Sequence, residues 1–263
     1  MLMNLAMMRK YIYFIFLIFP FFLQAQDKKE AIPNDCYKAG EQLKYLVHFG
    51  FIDGGVAGLF LEELDVNGRK IHHAKATGKS VGIAEKLFKV RDVYETFMDA
   101  ETGLPVKAIR DINEDNYKYY DEVLFNRNEN FVITKRKGKV KVPEKTMDVL
   151  SAFYYLRRAK FNDLKQGDLI TLVTYFDDDT LLLQIRYKGI ETIKTKFGKI
   201  NCLKFSPVVE PGRIFDSEDD LTIWVSNDKN FLPIRVQLDL LVGSVKCDLV
   251  EYQGIKNNFA IDK

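Results

Sequence analysis

The chain has 263 residues, 47% of them hydrophobic and 13% aromatic, enough for one large domain or two small ones. Its 39 basic residues nearly balance its 37 acidic ones. That balance excludes the strongly basic footprint of a nucleic-acid binder and the broad basic stripe of a binder of anionic lipid.

In chain order, residues 1–25 read as a secretory signal peptide. Arg9 and Lys10 precede an apolar run over 11–23, and Ala25 supplies the small residue before the expected cleavage point. The run is short against the roughly 20 residues of a membrane span, and no cysteine follows it to accept a lipid. Cleavage leaves 37 basic against 37 acidic residues, a neutral chain.

Residues 26–37 are polar and read as a lead-in, 38–254 as a single β-rich domain, and 255–263 as a C-terminal tail. LKYLVHFGFI alternates, which predicts a strand with Tyr45, Val47, Phe49 and Phe51 on one face. Asp53-Gly54-Gly55 reads as the turn after it. Asn67-Gly68 is a strong hairpin signal. LFKVRDVYETFMD reads as one strand, and further strand patterns run to Pro143. Residues 147–160 predict the one helix: Asp148 caps it, Val149, Leu150, Phe153 and Leu156 line a face, and Arg157, Arg158 and Lys160 suit its negative end. Strands resume as sequential hairpins to about residue 253, for about twelve or thirteen in all. No alternation of strand and helix appears, so the expected fold is mainly β, a large curved antiparallel sheet (barrel or half-barrel like) with one central helix packed on it.

A curled sheet encloses a trough, and this helix is the element available to fill it. Either the helix is a permanent plug in a solid core, or it is a lid over an apolar cavity that takes a lipid-like ligand.

Signals for chemistry are sparse. His72 and His73 are adjacent in a strand, point to opposite faces and cannot share a metal. The acidic clusters at Asp177-Asp178-Asp179 and at Asp216, Glu218, Asp219 and Asp220 read as solvated turns. No nucleophile elbow or phosphate-binding glycine loop occurs, and neither Cys202 nor Ser151 has a base beside it in sequence. We therefore expect no cofactor, no metal and no catalysis. Cys36, Cys202 and Cys247 read as small hydrophobes, with a Cys202–Cys247 pair as the alternative. Arg91 and Arg157 read as members of internal ion pairs, or else as holders of an anionic head group at a cavity mouth.

Five blocks, AGEQLKYLVHFGFIDGGVAGL, KVRDVYETFMDAETGLPV, MDVLSAFYYLR, TIWVSNDKNFLPIRV and GSVKCDLVEYQG, are similar to those of an exported bacterial family, domain-of-unknown-function 3108. The resemblance covers about residues 38–254. Where that family commonly has Trp-Leu-Ser, this chain has Trp224-Val225-Ser226. The signal ending QAQ is similar to those of Bacteroidetes exported proteins. The resemblance implies a periplasmic or envelope β protein and implies no reaction. At the level of fold alone the pattern resembles Lol-type lipoprotein carriers, open half-barrels with helices over an apolar cavity.

The expected function is non-catalytic binding of an apolar or amphiphilic molecule beneath the helix. Phe153, Tyr154, Tyr155 and Arg157 would be contacts at the lid, Trp224 would line the trough, and Arg91 would stand at its mouth. The alternative is a structural or protein-interaction module of the envelope with a solid core. The partners expected are thus a lipid-like ligand or an envelope protein, with no nucleic acid. Membrane association is allowed, without an anchor once the signal is removed.

Overall fold

The computed structural model describes residues 33–159, 163–208 and 220–261. The predicted signal peptide lies outside them, as do Asp216, Glu218 and Asp219.

Fourteen strands form one antiparallel sheet in the order β8-β7-β6-β5-β4-β3-β2-β1-β14-β13-β12-β11-β10-β9. The first half is a meander: β1 (Gln42–Phe49), β2 (Ile52–Val66), β3 (Arg69–Ser80), β4 (Arg91–Asp99), β5 (Pro105–Glu114), β6 (Tyr117–Asn126), β7 (Phe131–Thr134) and β8 (Gly138–Lys141). The second half is another: β9 (Leu169–Phe176), β10 (Asp179–Thr195), β11 (Gly198–Pro207), β12 (Leu221–Ser226), β13 (Pro233–Asp239) and β14 (Ser244–Gln253). The two meanders meet where β14 pairs with β1. The helix α2 (Val149–Arg158) lies in the crossing between β8 and β9, and a short α1 (Gly82–Leu87) stands between β3 and β4. The expected mainly-β, curved antiparallel sheet is what the chain forms.

Two local expectations differ. The first turn falls at Gly50-Phe51, not at Asp53-Gly54-Gly55. Gly50 takes φ 57, a left-handed value open to glycine with little strain, and so reverses the chain there. Phe51 is therefore on the tip of a turn rather than on the inner face. The second is α1. Six residues are too few for a helical period to show, and no side chain caps it. Leu87 and Phe88, read as strand, end this helix in solvent.

The edge strands β8 and β9 do not pair with each other, so the sheet is not closed by a ladder. The crossing segment spans part of the gap. Met147 donates its N–H to Val173 O at 2.9 Å and accepts from Tyr175 N at 2.7 Å, a parallel bridge to the edge of β9. Tyr175 then packs with Ala108, Phe125, Val132 and Val142 from the other half. The β9–β10 tip is held there as well: Lys137 Nζ donates to Asp178 O at 2.7 Å, and Arg136 Nε stands 3.2 Å from Asp178 Oδ2. The Arg110 guanidinium lies between the rings of Tyr119 and Phe176, at 4.5 and 4.3 Å from their centroids.

Asp121 is the weak point of this seam. It is buried, and its Oδ1 has no hydrogen-bond partner. Burial raises its pKa, and the Asp178 charge pushes the same way. A carboxyl whose pKa is raised by folding contributes stability at low pH and loses it as pH rises through the folded value. Asp121→Asn should therefore raise the melting temperature at pH 7, and the gain should vanish below about pH 4, where the wild-type group is protonated in both states. Thermal melts of the two proteins at several pH values check this.

Candidate functional site

The helix α2 is set by its first residue. Asp148 Oδ1 accepts from Leu150 N (3.0 Å) and Ser151 N (3.1 Å), and Ser151 Oγ accepts from Asp148 N (3.1 Å), a complete capping box. Thr96 of β4 donates to Asp148 Oδ2 at 2.7 Å and ties this end to the sheet.

Two apolar faces follow. Leu150 and Tyr154 are buried with Cys36, Tyr37, Leu61, Ala74 and Met98, a tight cluster against β2, β3 and β4. Tyr154 is 1% exposed. Its ring meets Tyr37 edge-on at 5.1 Å, and burial pushes its phenol pKa up. Val149, Phe153 and Leu156 face the other half of the sheet. There they border a groove of about 250 Å³ with Ile170, Leu183, Ile185, Phe205, Pro207, Ile223, Val225 and Phe231. Arg157 closes one end, and every other lining residue is apolar. The helix is thus a plug on one side and a roof on the other.

The C-terminal end of α2 is fixed by a buried ion pair. Arg157 and Glu41 are 2% and 1% exposed. Nη1 and Nη2 donate to the two Glu41 oxygens at 2.6 and 2.9 Å, a bidentate pair. Nε and Nη2 also donate to Asn230 O at 3.2 and 3.0 Å. Burial alone would lower the Arg157 pKa, but the Glu41 carboxylate outweighs it and holds the guanidinium above its ordinary value. Arg158 is held as firmly: Nε donates to Tyr37 Oη at 2.5 Å and Nη2 to Ala100 O at 3.1 Å. His72 lies 3.5 Å from it, and burial first, then the Arg158 charge, lower the imidazole pKa.

Asn230 extends the pair into a hub. Its Oδ1 accepts from Asn257 N at 2.8 Å, and its Nδ2 donates to the Asn257 and Asn258 carbonyls at 3.2 Å each. Asn257 Nδ2 donates to Asp35 O at 2.8 Å. The lead-in, the helix end, the β12–β13 turn and the C-terminal tail all meet here. Gly254 is required at the join, because a Cβ on it would sit 2.1 Å from Gly40 O.

Beside the hub is a wider basin of about 950 Å³ with a mixed border, polar at Arg158, Lys229, Lys256 and Asn257 and apolar at Leu164, Ile190 and Leu203. It shares Arg157 and Phe231 with the apolar groove.

Of the residues singled out from sequence, Phe153 lines the groove, and Arg157 stands at its end with a saturated head. Tyr154 is in the packed cluster, and Tyr155 is half-buried on α2. Trp224 is elsewhere. Its strand neighbours Ile223 and Val225 line the groove, so alternation turns the indole to the opposite face. There Nε1 donates to Glu191 at 3.3 Å under Lys204. Arg91 is not among the residues that line the groove; at the start of β4 it pairs with Glu85 of α1. The three cysteines are free, and burial raises the thiol pKa values of Cys202 and Cys247 to about 12 and about 11. Among the described residues no cluster of three or more acidic, histidine or cysteine side chains is placed to hold a metal. Sequence reasoning missed Glu41, Tyr37 and Asn230, whose roles appear only when distant segments meet.

Residues 44–250 match the family described as Protein of unknown function (DUF3108). The chain belongs to that family. No curated protein matches it. This DUF3108 chain is similar in fold to a β-barrel-like protein of domain of unknown function DUF1849 from Brucella abortus, with TM-score 0.54 and 11% identity, over 82% of this chain and 98% of that one. Two further structures are similar at TM-scores of 0.38 and 0.37, both 12% identical. One is a candidate exported protein with a YmcC-like fold from Bacteroides fragilis, over 85% of this chain and 99% of that one. The other is a candidate lipoprotein from Parabacteroides distasonis, over 83% and 100%.

Glu41→Gln should destabilise the protein by about 3–5 kcal/mol, because it leaves a buried guanidinium uncompensated. The double variant Glu41→Gln/Arg157→Met should recover part of that loss. Urea unfolding of the single and double variants measures both.

Proposed function

We propose that this DUF3108 protein is an exported, non-catalytic binder that holds the apolar part of an amphiphilic envelope molecule in the groove under α2. The observation that carries this reading is the groove itself, a 250 Å³ space lined by aliphatic and aromatic side chains beneath Phe153 and Leu156. An apolar lining offers water few hydrogen-bond partners, so it favours an apolar occupant. The polar part of the guest would lie in the adjoining basin, near Lys229 and Lys256. Export is supported by the signal-like residues 1–25. The reading of no catalysis is supported by the roles the polar groups already have: the Arg157 and Glu41 side chains are engaged with each other, and Arg157 also with Asn230 O.

The two faces of the helix make the test specific. Tyr154→Ala should cost about 3–5 kcal/mol, as the loss of a fully buried aromatic does. Phe153→Ala should cost less and should weaken binding. Val225→Trp, which fills the groove, should abolish co-purification of ligand while the fold survives. Native mass spectrometry and organic extraction of the purified proteins read the outcome. A wild-type protein that carries no ligand and fails to bind an apolar fluorescent probe would sink the proposal and favour a structural or interaction module.

A further inference from the structure

Among the described residues, the groove and the basin share two lining side chains, Arg157 and Phe231. Arg157 is held in place by Glu41 and Asn230. Beneath the two, the apolar floor is continuous. Ile185 lines the groove, and Tyr187, two residues on along β10, lines the basin; Phe205 and Leu203 repeat the step on β11. Residues two apart on a strand share a face, and Tyr187 is opposite Phe205 across the ladder. These four side chains form one packed cluster, and Phe231 packs against it. Phe231 also packs against the cluster of Tyr37 and Tyr154.

The Phe231 backbone does not favour an aromatic residue. Its φ is 48, in the left-handed region, and the other described non-glycine residues at positive φ are Asn, Asp and Lys. The turn imposes this value. Ser226 N donates to Leu232 O and Leu232 N to Ser226 Oγ, both at 2.8 Å, and Asn230 N donates to Asp228 Oδ1 at 2.9 Å. Glycine would meet that geometry without a Cβ penalty, so the turn itself gives no reason for a phenyl ring. The reason lies in where the ring stands.

We infer that Phe231 clamps the crossing from groove to basin and selects a guest with a single hydrocarbon chain, laid along the floor of Ile185, Tyr187, Phe205 and Leu203. The inference rests on the groove reading and adds to it the class of guest and the residue that selects it. At about 250 Å³ the groove is smaller than the 300–1,000 Å³ or so of sites that enclose drug-sized ligands. The crossing is flanked by two side chains, and the one opposite Phe231 is pinned by its hydrogen bonds. One chain can lie on the floor with the ring over it, and a second chain has no wall to lie against. A fatty-acid-like or lysolipid-like amphiphile fits this description, and a two-chain phospholipid does not. The ring's position between two packed clusters also makes it a structural contact, so the test must separate packing from selection.

Binding of three probes to the delipidated protein provides it: toluene, which needs only the groove, lauroyl-lysophosphatidylcholine and dilauroyl-phosphatidylcholine. The wild type should bind toluene and the lysolipid, and should bind the lysolipid more tightly than the two-chain lipid. Phe231→Trp, which crowds the crossing, should weaken lysolipid binding by about tenfold or more. Phe231→Gly, which relaxes the backbone and removes the ring, should also weaken it and should narrow the preference for one chain over two. In both variants toluene binding should fall less than lysolipid binding. Phe231→Leu keeps apolar bulk at the crossing and should retain most of the lysolipid affinity. Thermal melts identify variants that remain folded, and if Phe231→Trp does not fold, the glycine and leucine variants carry the test. A wild type that binds none of the three probes would sink the groove reading and this inference with it. Toluene binding together with no preference of the wild type for the lysolipid would overturn this inference alone. So would folded variants that bind the lysolipid as the wild type does, or that lose toluene and lysolipid equally.

Discussion

The structure depends on one buried ion pair. Taking a carboxylate and a guanidinium out of water costs several kcal/mol per ion, so Glu41 and Arg157 are tolerable only in good geometry. They have it: two parallel bonds between them, and the remaining donors on Asn230 O. The same demand makes the pair a register device. Sliding α2 along its axis by one turn, about 5.4 Å, would break every bond of Arg157 at once. The capping box at Asp148 fixes the other end. A helix pinned at both ends keeps a set distance from the strands it faces, and that distance is the height of the groove.

Pinning also explains how one helix is both plug and roof. Its contact with β3 and β4 is dense and aromatic, built on Tyr37, Tyr154 and Met98. That side supplies the burial that holds the helix down. The side toward β9–β12 is then free to be under-packed. Leaving it so would weaken an unsupported helix, but this segment is already anchored by a cap, an ion pair and one full face. The helix thus has a packed side against β3 and β4 and a groove side toward β9–β12.

Periodicity carried much of this fold in readable form. Hairpins at Asn67-Gly68 and Asp177-Asp178, the alternation of β1 and the capped helix at Asp148 are local patterns, and each formed close to where its residues predicted. The local patterns failed where length was too short, as in α1, or where one glycine dihedral decided a turn, as at Gly50. They were silent on the hub. Glu41 and Asn230 lie 116 and 73 residues from Arg157, and nothing in their own neighbourhoods marks them as its partners. Cys36 and Tyr37 sit in what reads as a polar lead-in, yet their burial follows from where Arg157 draws that segment. Trp224 was misplaced by a single step of alternation: Ile223 and Val225 beside it are the groove residues.

Register also orients the groove within the sheet. Leu221, at the start of β12, is opposite Leu238; Leu238 is opposite Val245; and Val245 is opposite Phe49. The start of β12 is therefore level with the β1–β2 and β13–β14 turns, where Phe51 and Leu241 are exposed, while Asn230 and the hub lie beyond its other end. Ile223 and Pro207 lie toward those turns, and Phe231 and Arg157 toward the hub. The apolar groove thus runs between a polar knot and an end rich in exposed Phe and Leu.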